Sequence, residues 1–312
     1  MKRADSKEDK MKEKRIVALD SQVLNAIQSC ETLADFSFIQ NWRPNATPEP
    51  FEKGDLGHIA LKNYYSIKHL SQETGVAFDS LQVIRDSLAL SRAKSTDMDL
   101  PAQEVERILQ ITERYFHYYG DRDEFNIRAV ERPFTRLLHE DDDTIIYYEG
   151  IIDLLYESKM TKLTVMDHKT KGKQYSHIER TNQFIGYSWA FDTNWVIVNG
   201  IGLQKDVSDE KRYKRQILSI TDGVKEQWKK QAVKSVKRFI SHLEVGEIEM
   251  NISHCPAWGG CQFKDACNAA GDKSVQLSTL MRMFYKGAPW SPYTRDDGKM
   301  PEGIKNPVPN HE

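Results

Sequence analysis

The sequence contains no apolar run of the roughly 18 to 20 residues that a transmembrane helix requires. Its first fifteen residues, MKRADSKEDKMKEKR, form a mixed charge run that lacks the apolar core of a signal peptide. Both absences favour a soluble protein of the cytoplasm, and we expect no membrane partner.

The chain also lacks an excess of either charge, since 44 Lys and Arg stand against 46 Asp and Glu. A near-neutral total can hide local patches of both signs. Between Lys205 and Arg238 there are eleven Lys and Arg against five Asp and Glu. This local excess favours an anionic partner such as nucleic acid, although basic helices are often only solvated.

Cysteine is scarce, and the four cysteines are Cys30, Cys255, Cys261 and Cys267. Disulfides are the less expected use in a reducing cytoplasm. Three of the four are equally spaced near the C-terminus, which predicts metal binding.

What the sequence does contain is a pattern of helices and strands around enough apolar residues, 39% of 312, for a substantial core. Helical periodicity covers residues 16–43, and prolines then interrupt it. Residues 144–156 and 163–169 have strand character and are joined by the polar turn ESKMTK, which predicts an antiparallel hairpin. The other predicted elements are helices at 55–70, 102–119, 177–191 and 224–240 and strands at 194–204 and 213–220. We expect a disordered N-terminus at 1–15, one domain at 16–284 and a flexible tail at 285–312.

The predicted hairpin places an acid in each of two hydrophobic strands, Asp153 in GIID and Asp167 in VMDHK. Near the ends of paired strands the two carboxylates can converge, and Lys169 shares the face of Asp167 because side chains alternate with period two. Two close carboxylates repel unless a cation lies between them, and Mg²⁺ or Mn²⁺ prefers such oxygen ligands. A neighbouring lysine can orient or deprotonate a water molecule for attack on a phosphodiester.

These residues resemble the PD-(D/E)XK nuclease superfamily, specifically its RecB-like branch. Asp153 matches the first acid of that family, and Asp167 and Lys169 match its D-x-K. The family's proline before the second acid is absent, and Met166 stands at or near that place. An isolated Asp in a strand also fits an ordinary strand end, so the resemblance depends on the surrounding motifs.

Three further segments resemble the same branch. Gln183 and Tyr187 match its Q-x-x-x-Y helix and are implied to contact the substrate, whereas an ordinary amphipathic helix is the alternative. GDLGH resembles the G-x-x-x-H motif, which implies that His58 is a metal ligand together with Asp153 and Asp167. Many relatives have Glu four residues later, where this chain has Lys62. Glu131 in AVERPF resembles the family's "vE" segment, although a surface glutamate is the commoner case.

The cysteines extend the resemblance to nucleases of the AddB type and of CRISPR adaptation, in which one upstream and three downstream cysteines hold a 4Fe-4S cluster. Cys30 corresponds to the first, and Cys255, Cys261 and Cys267 correspond to the other three. Zinc remains the alternative, since thiolates bind it equally and His254 adjoins Cys255. A cluster would link the N-terminal helix to the C-terminal segment.

The resemblance implies an α/β restriction-endonuclease-like core, a mixed sheet flanked by helices, with an added helical layer held by the cluster. It implies a Mg²⁺- or Mn²⁺-dependent DNA exonuclease that acts on single strands or free ends in recombination, repair or phage DNA metabolism. If the chain is phage-encoded, we expect it in the host cytoplasm. The alternatives are a sequence-specific or nicking endonuclease of the same superfamily and a catalytically silent DNA-binding module.

Overall fold

A mixed six-stranded sheet forms the centre of the computed structural model, which describes residues 14–45, 49–159, 161–171, 181–256, 260–270 and 277–288. The strand order is β1-β4-β5-β6-β7, and β3 pairs with the other edge of β4. The bounds are β1 Arg15–Leu19, β3 Asn126–Glu140, β4 Thr144–Ser158, β5 Lys162–Lys171, β6 Trp195–Gly202 and β7 Tyr213–Ser219. Two short strands, β2 Trp42–Pro44 and β8 Tyr285–Gly287, form a separate antiparallel pair.

Helices cover both faces of the sheet. Their bounds are α1 Ser21–Ser29, α2 Glu31–Ala34, α3 Glu49–Thr74, α4 Ser80–Lys94, α5 Ala102–Tyr119, α6 Asn182–Ala190, α7 Asp209–Arg212, α8 Asp222–Val245, α9 Lys264–Ala270 and α10 Leu277–Phe284. One apolar cluster joins α1, α6 and α8 to the sheet through residues such as Val165, and a second joins α3, α4 and α5 through residues such as Met166. These neighbours in β5 bury opposite faces because strand side chains alternate. The predicted mixed sheet between helical layers is confirmed.

A third, smaller cluster lies away from the sheet and joins the two ends of the described chain. Phe36, from the turn after α2, packs against Phe263, and the ring of Phe263 stacks on Tyr285 in β8. Cys261 and Cys267 pack against the edge of this cluster. Residues more than two hundred positions apart are therefore held together by apolar contacts.

The hairpin of β4 and β5 is antiparallel as predicted, but the helix predicted over 16–43 is wrong at both ends, where β1 and β2 lie, and β3 and α4 were not predicted. Residues 15–19, RIVAL, belong to a strand and not to the predicted helix, because they pair in parallel with β4 and bury Leu19 in the core. The pattern of β3 was not recognised, because its outer face carries polar residues and its register shifts twice. α4 also escaped prediction.

The predicted boundaries of the domain meet ordered structure at both ends. Arg15 already belongs to β1, and β8 continues to Gly287, just past the predicted start of the tail at 285. Residues 1–13 and 289–312, which make up most of the two predicted terminal segments, lie outside the described residues. Of the helices that the structure describes, none combines the length and apolar content needed to cross a membrane.

Candidate active site

The centre of the site is a fork in the sheet between β4 and β5. The two strands pair from Ser158–Lys162 to Leu154–Met166, and the register then places Asp153 opposite Asp167. After Asp167, β5 remains paired with β6 but no longer with β4. The edge of β4 that faced β5 pairs instead with β1, over Thr144 to Tyr148. Both acids thus lie inside their strands. The prediction that they lie near the strand ends is wrong.

Asp153 binds a backbone group that the fork leaves without a strand partner. The His168 N–H donates to Asp153 Oδ2 at 2.6 Å. A hydrogen bond from a backbone donor favours the charged form of a carboxylate. The opened ladder therefore fixes Asp153 in the gap between the two strands.

Asp153, Glu131 and His58 form a tight group of metal-ligand types. Their ligand atoms all lie within 4.8 Å of one another. His58 Nε2, from α3, is 2.7 Å from Glu131 Oε1 and 3.5 Å from Asp153 Oδ1. The Glu131 side chain is only 10% exposed, so Glu131 does not have the surface position that is commoner for a glutamate.

Glu131 reaches this group through an unusual backbone conformation. Its neighbours Val130 and Arg132 pair with Leu154 and Ile152, which places Glu131 across from Asp153. Its φ is 48°, in the left-handed region that a non-glycine residue rarely adopts inside a strand. Such strained backbone is concentrated at functional sites.

Asp167 lies on the other branch of the fork with Lys169. The Asp167 side chain is 1% exposed, and its Oδ2 is 2.6 Å from Lys169 Nζ. Burial raises the pKa of Asp167 to about 6; Lys169 opposes the rise and Asp153 adds to it. Asp167 Oδ2 is buried and has the Lys169 ammonium as its ion-pair partner, so a metal ion bound there would share this oxygen with Lys169. The predicted shared face of Asp167 and Lys169 is confirmed.

The first turns of α6 close the site from the opposite layer. Gln183 Nε2 donates to Asp167 Oδ1 and to Tyr187 Oη, each at 3.1 Å. The Tyr187 hydroxyl donates to Ile151 O at 2.9 Å, and Tyr187 is only 6% exposed. Tyr187 therefore supports β4 beside Asp153, while the predicted substrate contacts of both residues stay predictions.

One glycine permits this close approach of α6 to the sheet. A Cβ on Gly186 would lie 2.2 Å from Tyr148 Oη. Tyr148 is fully buried in β4, so its ring cannot move aside. Any larger residue at Gly186 would displace the turn that carries Gln183.

A buried polar network behind β5 was not found from the sequence. Arg215 Nε donates to Asn199 Oδ1 at 3.1 Å, which turns the Asn199 amide nitrogen toward His168 Nδ1 at 2.8 Å. His168 Nδ1 must then accept a hydrogen bond, which requires the neutral ring. Burial, followed by the charges of His58, Arg215 and Lys169, lowers the pKa of His168 well below its usual value, in agreement.

The far end of that network is anchored by Asp123. Arg215 pairs with both Asp123 carboxylate oxygens, and its Nη2 donates to Tyr115 Oη at 2.8 Å. The His168 ring stacks on Tyr65 at 5.3 Å between centroids. The network fixes the residue between Asp167 and Lys169, and so supports the strand that carries both.

The four cysteines come from both ends of the described chain, and none of them forms a disulfide. Cys30 stands between α1 and α2, and its Sγ accepts a hydrogen bond from Asn251 N at 3.4 Å. Burial raises the pKa of Cys267 to about 11, with further contributions from Cys261, Cys30 and Cys255. In the described part of the chain, no group of three ligand atoms within 4.8 Å includes a cysteine.

Comparison with known proteins identifies the family. Residues 21–268 match the model of the PD-(D/E)XK nuclease superfamily. This match spans most of the chain, and the chain therefore belongs to that superfamily. No curated protein shows significant sequence similarity to it.

Several solved structures are similar to this chain at low identity. A candidate exonuclease from Eubacterium rectale is 11% identical, with a TM-score of 0.47, over 90% of this chain and 94% of that one. An alkaline exonuclease from Laribacter hongkongensis is 10% identical, with a TM-score of 0.30, over 62% and 92%. A phage-related exonuclease from Haemophilus somnus is 13% identical, with a TM-score of 0.29, over 60% and 94%. The assignment to the superfamily rests on the family match alone.

Proposed function

We propose that this protein is a divalent-metal-dependent DNA exonuclease of the RecB-like branch. The observation that carries the proposal is the fork, where two buried aspartates face each other beside a lysine, a histidine and a glutamate. An intact acid and lysine set argues against a silent DNA-binding module, which would have no need to keep Lys169 beside a buried carboxylate.

The donor set suits Mg²⁺ or Mn²⁺. Asp153, Glu131 and His58 offer two carboxylates and an imidazole whose ligand atoms lie within 4.8 Å of one another, and Asp167 adds a buried carboxylate that is paired with Lys169. Burial chiefly, and the nearby Asp153 in part, raise the pKa of Asp167, and a bound cation would favour the charged form of both carboxylates. We therefore assign all four residues as ligands, which adds Glu131 to the set of His58, Asp153 and Asp167.

Different residues of the site then have different roles in hydrolysis. When bound, the ion stabilises negative charge on the phosphate. Lys169, held at 2.6 Å by Asp167 and one-quarter exposed, orients or deprotonates the attacking water. Gln183 holds Asp167 through Oδ1 and is itself half-buried. The local basic excess between Lys205 and Arg238 supports DNA as the substrate.

A substrate panel tests the exonuclease assignment against the endonuclease alternative. With Mn²⁺, the wild type should degrade linear single-stranded DNA and leave covalently closed circular DNA intact, whereas Lys169→Ala should degrade neither. Nicking or linearisation of closed circles would favour an endonuclease. If the wild type bound DNA but degraded neither substrate, the result would favour the catalytically silent DNA-binding module.

We further propose that the four cysteines hold one 4Fe-4S cluster with a structural role. Support comes from the resemblance of the four positions to those of cluster-binding nucleases and from the charge interactions of Cys267 with Cys261, Cys30 and Cys255. Metal analysis of anaerobically purified protein separates the alternatives: about four irons per chain are expected, and one zinc without iron would replace the cluster.

A further inference from the structure

An open groove lies beside the candidate active site, between α1, α6 and α8. Its volume is about 1100 Å³, and its wall includes Asn182 at the start of α6. The next residue along α6, Gln183, contacts Asp167. The groove and the contact to Asp167 therefore share the N-terminal turn of α6. Its other end includes His254 and Gln262, which adjoin Cys255 and Cys261.

The wall of the groove combines apolar and polar groups and contains no acid among its described residues. Among the described residues that line it there is no Asp or Glu, although the chain has 46 acids among its 312 residues. Arg43, His254 and Lys286 contribute the basic groups. The commonest polar group in the wall is the side-chain amide, which is present in Gln22, Asn25, Gln28, Asn182, Gln227, Gln231 and Gln262. Amides hydrogen-bond to phosphate oxygens and to base edges, so this composition fits a polyanionic strand.

Part of the wall is rigidly built around Asn182. Its amide nitrogen donates to Asn25 Oδ1 at 2.7 Å and to Gln28 Oε1 at 2.8 Å, and its Oδ1 accepts from Trp228 Nε1 at 2.9 Å. The three helices of the groove are thereby connected at the turn that also presents Gln183. The turn that lines the groove is thus also the turn that carries Gln183.

Other amides of the wall are left open to a ligand. Gln22, Gln227 and Gln231 are exposed, and their side chains make no hydrogen bond to any residue that the structure describes. Gln227 and Gln231 lie one turn apart on α8, and the exposed Lys234 follows on the same side of the helix. The open amides thus form a row with a cation at its end.

The groove also has an aromatic surface with a cation on it. The Arg43 guanidinium lies over the half-buried Phe38 ring at 4.9 Å, and both residues line the groove. Proteins that bind single strands combine basic grooves with aromatic side chains on which bases stack. A duplex would not present its bases to such a ring.

We propose that this groove binds single-stranded DNA and guides it across the first turn of α6 to the fork. The proposal rests on the proposed nuclease function and adds the path of the strand. The open amides of α8 contact the phosphates, and the Phe38 and Arg43 pair contacts a base. The strand then passes Asn182 and reaches Gln183 and Asp167.

The test changes the charge of the α8 row in both directions. In a Lys169→Ala background, which prevents degradation, the affinity for a fluorescent single-stranded oligonucleotide is measured by anisotropy over a range of salt. Gln227→Glu with Gln231→Glu should weaken binding about tenfold or more, since carboxylates would face the phosphates. Gln227→Lys with Gln231→Lys should tighten binding and steepen the slope of log K against log salt by about 0.7 for each added contact.

Gln110→Glu provides the matched control, because Gln110 is an exposed glutamine of a helix outside the groove. Its affinity should equal that of the parent, and melting curves confirm that each variant is folded. Equal affinity of the glutamate, lysine and control variants would overturn the groove proposal. A wild type that hydrolyses no DNA with Mn²⁺ would instead overturn the proposed function, because the binding measurement does not depend on turnover.

Discussion

The fork and the cysteine site both gather anionic groups, but they do so in different ways. At the fork, Glu131, Asp153 and Asp167 lie on three successive strands, and the pairing of the residues next to them brings them side by side. At the cysteine site, Cys30 meets residues more than two hundred positions away. Closing a loop of that length costs conformational entropy, which other contacts must offset. The fork is thus preassembled by the backbone, whereas the cysteine site depends on the packing around it.

Two sets of contacts maintain the cysteine site without any ligand. One is the apolar cluster of Phe36, Phe263 and Tyr285. The other is Glu31, next to Cys30, whose buried carboxylate pairs with Arg238 at 3.0 Å and with His242 at 2.7 Å on α8. The difference predicts that changes at the fork alter chemistry and changes at the cysteine site alter stability.

The largest effect is expected from Lys169→Ala. Loss of the group that acts on water should lower kcat by about 10²- to 10⁴-fold while DNA and Mn²⁺ binding persist, as measured by quenched-flow assay and calorimetry. Lys171→Ala, two residues on along the same face of β5, is the matched control and should retain most activity. Equal losses in the two variants would remove the special role of Lys169.

Cys255→Ala should mainly affect stability. Anaerobic protein should lose its brown colour and its broad absorption near roughly 400 nm. The free energy of unfolding should fall by on the order of 3 kcal/mol, as for removal of a covalent link that closes a long loop. Ser253→Ala, two residues earlier, should keep both colour and stability. Unchanged urea denaturation of Cys255→Ala would contradict a structural cluster.

Glu131→Gln should weaken Mn²⁺ binding by about 10- to 100-fold with no loss of stability. The variant keeps the size of the side chain and removes a charge that repels Asp153. Calorimetric titration measures the affinity, and Glu140→Gln at the exposed end of the same strand is the control. An affinity equal to that of the control would exclude Glu131 from the ligand set.

Glu31→Gln should give the smallest effect, a loss of about 1–3 kcal/mol in the free energy of unfolding. Burial raises the pKa of Glu31, but hydrogen bonds from His242, the Glu249 backbone and Arg238 outweigh it, so the net pKa lies below its ordinary 4.5. Below that pH the unfolded chain takes up the proton first, and this stabilisation is progressively lost as the pH falls.

The control for Glu31 is Glu106→Gln, which breaks the exposed ion pair with Arg92. Exposed ion pairs contribute little, so its urea denaturation should be close to that of the wild type. A Glu31→Gln variant as stable as Glu106→Gln would show that the apolar cluster alone maintains the cysteine site.

The hairpin and its acids could be predicted from the sequence because the two strands are adjacent in the chain and strongly apolar. The shared face of Asp167 and Lys169 followed from the period of two. The position of Glu131 could not, since the strand that carries it has a polar outer face and bends at a left-handed residue. No local sequence pattern predicted β3.

The polar network of Arg215, Asn199 and Asp123 could not be predicted from the sequence either. Arg215 and Asn199 come from neighbouring strands, and Asp123 comes from a loop ninety-two residues earlier than Arg215. Only tertiary packing brings them behind His168. The groove likewise arises from three helices that are far apart in sequence, and its amides form no motif.

The most direct test of the account is hydrolysis of linear single-stranded DNA as a function of Mn²⁺ concentration, with anaerobically purified protein. The fork predicts no hydrolysis in chelator, full recovery on addition of Mn²⁺, and a midpoint that matches the calorimetric Kd of the wild type. Undiminished hydrolysis in chelator, or none at saturating Mn²⁺, would contradict the assignment of metal-dependent chemistry to Asp153, Asp167 and Lys169.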